Sequence, residues 1–176
     1  MLSILDEAPD FKARAVRGRR GALVEEEVSL GALGGAWALL LFYPKDFTRI
    51  CPTEVTALSK RSHELRALST EPFALSGDDL ATHRRWIEEV LGEVEVPLCA
   101  DPGGAVARAY WAWRASEGIA ERATVLVDPA RRVRYLAVHD LTVGRSVSEL
   151  LRVVEALRTG EHAPAEWRPG QPTLGR

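Results

Sequence analysis

Residues 36–54 read AWALLLFYPKDFTRICPTE, and this stretch decides the fold that the rest of the chain completes. Residues 36–42 are apolar without alternation, which predicts a strand buried on both faces. Pro52 suits the first turn of a helix, where its missing N–H costs nothing. The stretch therefore predicts a buried strand, a short loop and a helix that begins at Cys51.

Short apolar runs and helical patterns alternate along the rest of the chain. Asp128 and Pro129 predict a hairpin between the last two strands. Ser146 and Glu149 form a capping box, and Gly160 is the expected end of the final helix. Helices are predicted over residues 52–68, 82–91 and 106–113, and strands over residues 73–76, 96–100, 124–127 and 133–138. This order predicts an α/β protein with a thioredoxin-like fold, a central mixed β-sheet flanked by helices.

Length and composition narrow the class of protein. A chain of 176 residues with 46% hydrophobic residues favours one domain, which we expect over residues 1–160. Residues 161–176 are rich in proline, glycine and polar residues and predict a C-terminal arm. A net charge of −2 does not favour nucleic acid or an anionic membrane as a partner.

The cysteines and histidines narrow the chemistry further. Two cysteines are too few for a disulfide framework, and no signal peptide is predicted at the N-terminus, so we expect reduced thiols in the cytoplasm. The four histidines are scattered without metal-ligand spacing. The sequence therefore predicts neither a metal nor another cofactor.

Cys51 is the candidate nucleophile. A helix N-terminus favours the thiolate, which is the reactive form of cysteine. A nearby cation would favour it further, and Arg49, Arg122 and Arg145 are candidates. Taken alone, a lone cysteine is more often an inert small hydrophobe.

Thr48 and Pro44 complete the spacing Pro-x-x-x-Thr-x-x-Cys with Cys51. The Thr48 hydroxyl can accept a hydrogen bond from the thiol or donate one to a peroxide oxygen. Pro44 has no N–H, so it can shield a thiolate without competing for hydrogen bonds. These residue types suit attack on an O–O bond, where negative charge builds on the departing oxygen.

The segment FTRICPTE at residues 47–54 closely resembles the active-site signature of the peroxiredoxins, in particular those of the alkyl hydroperoxide reductase group. The resemblance covers roughly residues 5–172. Further matches in the same order are SGD (76–78), TH (82–83) with Trp86, VPL (96–98) with DP (101–102), GI (118–119), VD (127–128), DLTVGRS (140–146) and PAEWRPG (164–170). Together they indicate the peroxiredoxin variant of the thioredoxin-like fold.

The resemblance implies a thiol-dependent peroxidase with an antioxidant function. Such an enzyme reduces hydrogen peroxide and alkyl hydroperoxides through a sulfenic acid on its peroxidatic cysteine. It also implies homodimers, or decamers built from dimers. The implied catalytic residues are Cys51, Thr48, Pro44 and Arg122, and Glu54 and Arg145 are the implied supporting residues that hold Arg122.

Ala163 departs from the family pattern. It occupies the position of the resolving cysteine in two-cysteine members, so the usual disulfide between two chains cannot form. Cys99 is the only other thiol. It is either a buried inert residue or a resolving cysteine within the same chain. If it is inert, an external thiol must reduce Cys51, supplied by a thioredoxin-like protein or a low-molecular-weight thiol.

Two other functions compete with the peroxidase. A thiol–disulfide oxidoreductase of the same fold requires a Cys-x-x-Cys motif. Glu54 occupies the position of the second cysteine, which disfavours this alternative. A non-catalytic protein could instead use Cys51 as a peroxide sensor that relays oxidation to a partner, or act as a holdase chaperone.

Overall fold

The computed structural model describes residues 2–176 and is built on a seven-stranded sheet in the order β2-β1-β5-β4-β3-β8-β9, beside a two-stranded hairpin, β6-β7. The strands are β1 (Lys12–Arg19), β2 (Ala22–Ser29), β3 (Trp37–Phe42), β4 (Thr70–Ser76), β5 (Val94–Ala100), β6 (Trp113–Arg114), β7 (Ile119–Ala120), β8 (Arg122–Val127) and β9 (Val133–His139). The helices are α1 (Cys51–Lys60), α2 (Ser62–Ala67), α3 (Leu80–Trp86), α4 (Ala105–Ala109) and α5 (Val147–Thr159).

The sheet is mixed and separates two hydrophobic core clusters. Strands β3, β4 and β5 are parallel, whereas β1, β8 and β9 pair antiparallel with their neighbours. Alternate residues along β3 enter different clusters, Leu39 and Leu41 on the side of α1 and α5, and Leu40 on the side of α4. The thioredoxin-like α/β fold predicted from the sequence is confirmed.

Helix α1 begins at Cys51 with Pro52 in its first turn, as the sequence predicts. The predicted helix over residues 52–68 is instead two helices that break at Arg61, where φ is −108° and ψ is 9°. The Ser62 hydroxyl donates to the Ser59 carbonyl over 2.9 Å. Such local side-chain bonds offer the backbone an alternative to continuing the helix, which accounts for the break.

Two further helix predictions need correction, and one hairpin was missed. The hairpin of β1 and β2 was not predicted, because its charged residues hide the strand pattern. The helix predicted over residues 106–113 ends at Ala109, since Trp111 takes a left-handed φ of 58° and Trp113 enters β6. The helix predicted over residues 82–91 changes after Trp86 into a π-helical turn, Ile87–Leu91.

The end of the chain follows the prediction more closely. Ser146 caps α5 by accepting from the Glu149 N–H, and Gly160 ends it with a φ of 66°. The segment after Gly160 folds back on the helix, because Arg152 donates to the Trp167 carbonyl and Trp167 is buried. None of the helices within residues 2–176 has the length and apolar character that a membrane crossing requires.

Candidate active site

Cys51 lies where β3, a loop over residues 43–50 and α1 meet. Strand β3 is buried along its whole length, so it fixes the start of the loop, and the first turn of α1 fixes its end. The Cys51 side chain is completely buried. Arg122, the first residue of β8, reaches it from the neighbouring strand with 3.8 Å between Nη1 and Sγ. A nucleophile candidate and a guanidinium therefore share one buried site.

Glu54 holds two arginines behind Cys51. Its Oε1 accepts from the backbone N–H and the Nε of Arg145, each over 2.8 Å. Its Oε2 accepts from Arg145 Nη2 over 3.0 Å and from Arg122 Nη1. All three side chains are at most 3% exposed. The cluster is thus a fully bonded carboxylate between two guanidinium groups.

The cluster carries net positive charge beside Cys51. Burial opposes ionisation of Glu54, but the hydrogen bonds and charge of Arg145, together with the charge of Arg122, lower the pKa of Glu54 below its ordinary 4.5. One carboxylate cannot neutralise two arginines, so an additional anion in this place is favoured. Arg145 is fixed as well by the Phe42 and Ala123 carbonyls, which it reaches over 2.8 and 2.7 Å.

Arg122 keeps one donor without a protein partner. Its Nη2 donates to the Leu141 carbonyl over 2.7 Å, and its Nη1 serves Cys51 and Glu54. Its Nε is buried and has no hydrogen-bond partner among residues 2–176. Because an unpaired buried N–H is costly, this donor indicates a place for a polar ligand.

A pocket of about 390 Å³ opens in front of the site. Pro44 is buried in its wall and Thr48 is exposed in it. The Thr48 hydroxyl donates to the Lys45 carbonyl over 2.9 Å, so its proton is engaged while its lone pairs remain able to accept. The rest of the wall is formed by Lys45, Arg49, Ile50, Ile119, Arg122, Leu141 and Thr142.

Asp46 anchors the loop that carries Pro44 and Thr48. Its carboxylate accepts from the Tyr43 hydroxyl over 2.8 Å and contacts His83 Nδ1 at 2.7 Å, and its backbone N–H donates to Asp78 over 2.9 Å. Burial raises the pKa of Asp46, although His83 and Tyr43 oppose that rise. This buried anchor was missed from the sequence, since nothing in the pattern separates an inward-facing loop aspartate from an exposed one.

Cys99 lies in the other core cluster, on the opposite face of the sheet from Cys51. It is completely buried in β5, opposite Ala15 on one side and Leu75 on the other. Burial, reinforced by the charges of Glu26 and Asp101, raises the pKa of the Cys99 thiol well above its ordinary value. The sheet lies between the two thiols, so the geometry argues against the Cys51–Cys99 disulfide left open by the sequence.

The structure thus brings together most of the residues that the sequence singles out. Cys51, Glu54, Arg122 and Arg145 form one contiguous cluster. Pro44, Thr48 and Arg49 line the adjoining pocket, and Cys99 is separate. Within residues 2–176 no group of three or more His, Cys, Asp or Glu side chains is arranged to hold a metal ion.

A buried thiol with its own arginine, on a thioredoxin-like sheet, defines a class of thiol enzymes, and comparison with known proteins gives the family. The AhpC/TSA family model matches residues 4–136. Peroxiredoxin-2 of Macaca fascicularis is 42% identical over 176 residues, which cover 95% of this chain and 87% of that protein. A reduced 2-Cys peroxiredoxin of Plasmodium vivax superposes with a TM-score of 0.89 at 33% identity, covering 97% of this chain and 91% of that one.

AhpC of Mycobacterium bovis superposes with a TM-score of 0.85 at 28% identity, covering 96% of this chain and 99% of that one. The chain therefore belongs to the AhpC/TSA family of peroxiredoxins. It is a thiol-dependent peroxidase, an oxidoreductase with an antioxidant function.

Proposed function

We propose that Cys51 is the peroxidatic cysteine and that Arg122 is its principal catalytic partner. The observation that carries the proposal is the 3.8 Å contact between Arg122 Nη1 and Cys51 Sγ inside a buried cluster of net positive charge. A thiolate at Cys51 balances that charge. Glu54 and Arg145 support the site by holding Arg122 in place.

The reaction is a transfer of one peroxide oxygen to sulfur. The Cys51 thiolate attacks the nearer oxygen of the peroxide, an S–O bond forms and the O–O bond breaks. The electron pair of that bond leaves with the other oxygen, which takes a proton to become water or an alcohol. Cys51 is oxidised to a sulfenic acid. The Arg122 guanidinium, with its unpaired Nε, stabilises the charge that develops on the departing oxygen.

Thr48 and Pro44 position the peroxide for this attack. The Thr48 oxygen is free to accept a hydrogen bond from the peroxide O–H because its own proton is held by the Lys45 carbonyl. Pro44 supplies a rigid apolar wall without an N–H. Cys51 is completely buried, and Arg122 both lines this pocket and contacts Sγ, so the peroxide approaches Sγ from the side of this pocket.

An external thiol restores Cys51. Ala163 supplies no resolving thiol, and Cys99 lies across the sheet. One external thiol condenses with the sulfenic acid, giving a mixed disulfide and water. A second thiol displaces Cys51 from it, which leaves the Cys51 thiol and an oxidised external disulfide. A thioredoxin-like protein or a low-molecular-weight thiol supplies this reductant.

The proposal extends to assembly and location. Strand β9 lies at the edge of the sheet, and its Leu136 and Val138 side chains are 36% and 54% exposed. Such an edge is suited to pairing with a second copy, which supports a homodimer or a decamer built from dimers. We place the protein in the cytoplasm, because a thiol that must be reduced after every turnover requires a reducing compartment.

Stopped-flow mixing of the reduced protein with hydrogen peroxide tests the proposed function. We expect oxidation far faster than that of a free thiol, complete loss in Cys51→Ser, and an unchanged rate in the matched control Cys99→Ala. A wild-type rate no greater than that of a free thiol would sink the proposal, as would full activity in Cys51→Ser.

A further inference from the structure

We propose that Lys45 and Arg49 are specificity determinants that select hydroperoxides with an apolar body and a distant carboxylate. This inference rests on the proposed function, because it assigns the substrate preference of the pocket in front of Cys51. Hydrogen peroxide has neither an apolar body nor a charge, so the preference does not extend to it.

The pocket offers apolar surface well beyond the needs of a peroxide group. Ile50, Ile119 and Leu141 are half-buried in its wall beside the buried Pro44. A volume of about 390 Å³ lies within the range of small-molecule sites. An alkyl chain that covers these side chains removes apolar surface from water, which favours binding of organic hydroperoxides.

Two cations stand in the same wall without partners. Lys45 and Arg49 are both exposed, and neither forms an ion pair with a carboxylate within residues 2–176. Their charges are therefore available to a ligand. An apolar wall next to two free cations is complementary to an amphipathic anion.

The backbone of the loop that carries these two residues is anchored. The Lys45 carbonyl accepts from the Thr48 hydroxyl over 2.9 Å. The next residue, Asp46, is tied through its side chain to Tyr43 and His83. Because this backbone is already anchored, the entropic cost of ordering the loop when a ligand binds is smaller.

A carboxylate near the pocket favours one orientation of the bound ligand. Asp140 precedes Leu141 and Thr142 and accepts from the Thr142 N–H over 2.8 Å. Hydrogen bonds from the Thr142 side chain and backbone keep the pKa of this exposed carboxylate below its ordinary value. Its negative charge repels an anion from that part of the rim, so the ligand's carboxylate lies with Lys45 and Arg49.

The test compares two probes that differ in charge and by one methyl group: a hydroperoxide of linoleic acid and the corresponding hydroperoxide of its methyl ester, both below their micellar concentrations. Single-turnover oxidation of pre-reduced protein at low ionic strength isolates the peroxide step from recycling. The variants are Lys45→Gln, Arg49→Gln and the double variant. The matched control is Lys60→Gln, an exposed lysine at the far end of α1, about 14 Å along the helix from Cys51.

We expect the acid to oxidise the wild type and Lys60→Gln about three- to tenfold faster than the ester does, a range typical of one or two exposed ion pairs. The ratio of the acid rate to the ester rate should approach one in the double variant and in high salt. The hydrogen peroxide rate of each variant is the reference to which both rates are normalised. A ratio of one in the wild type, with fast hydrogen peroxide reduction, overturns this inference and leaves the proposed function intact. Slow reaction with every peroxide overturns the proposed function instead.

Discussion

Cys51 and Cys99 are equally buried, yet their surroundings differ in almost every other respect. Cys51 begins a helix and contacts Arg122 in a cluster with two cations and one anion. Cys99 lies in the middle of a sheet, and the charges that act on it, from Glu26 and Asp101, are negative. The comparison teaches that burial alone does not define the surroundings of a thiol. The sign of the buried charge beside it separates the two.

Glu54 is the residue whose loss should most disturb the charged cluster that distinguishes Cys51 from Cys99. Glu54→Gln leaves two buried guanidinium groups without their carboxylate, and breaking such a pair costs about 3–5 kcal/mol. We expect a loss of that size in the free energy of unfolding, measured by urea denaturation. Glu64→Gln, which removes an exposed pair with Arg61, is the control and should have little effect. Equal losses in both variants would contradict a structural role for the cluster.

Arg122 should have the next largest effect, which is measured as the rate of oxidation by peroxide. Arg122→Met removes the cation at Cys51, and loss of one preorganised donor typically costs about a hundredfold or more. Stopped-flow oxidation by hydrogen peroxide measures this loss. Arg132→Met, which replaces an exposed arginine immediately before β9, should react at the wild-type rate. A rate within about threefold of wild type in Arg122→Met would show that the contact does not matter.

A smaller effect is expected from acid pH, on the free energy of unfolding. Because the folded state holds the pKa of Glu54 below 4.5, its contribution to stability is complete above that pH and is lost as pH falls through the lowered value. Asp46, whose pKa is raised, acts in the opposite sense. Urea midpoints measured from neutral pH into acid should therefore fall less steeply in Glu54→Gln than in the wild type. Parallel curves would show that the pKa of Glu54 is not lowered by folding.

The part of the site that is local in sequence could be predicted from the sequence. An apolar run followed by a short loop and Pro52 determines a strand, a turn and a helix start, so the position of Cys51 followed from neighbouring residues. Arg122 lies 71 residues along the chain from Cys51, and Arg145 lies 91 residues along the chain from Glu54. Their approach depends on strand order, and only the family resemblance placed them at the site.

Other features had no local signal. Strands β1 and β2 carry cross-strand ion pairs such as Lys12–Glu27 on an exposed surface, which hides the apolar alternation of a strand. The face to which Cys99 points is fixed by the register of β5 with β4, and a shift of one residue would reverse it. The sequence therefore left the role of Cys99 open, and the sheet argues against a resolving function.

Mass spectrometry of the reduced protein after one equivalent of hydrogen peroxide, with a sulfenic-acid trap present, tests the central claim most directly. We predict one trapped sulfenic acid at Cys51, an unmodified Cys99, and no disulfide within or between chains. A Cys51–Cys99 disulfide, or modification at Cys99 while Cys51 stays reduced, would contradict the account.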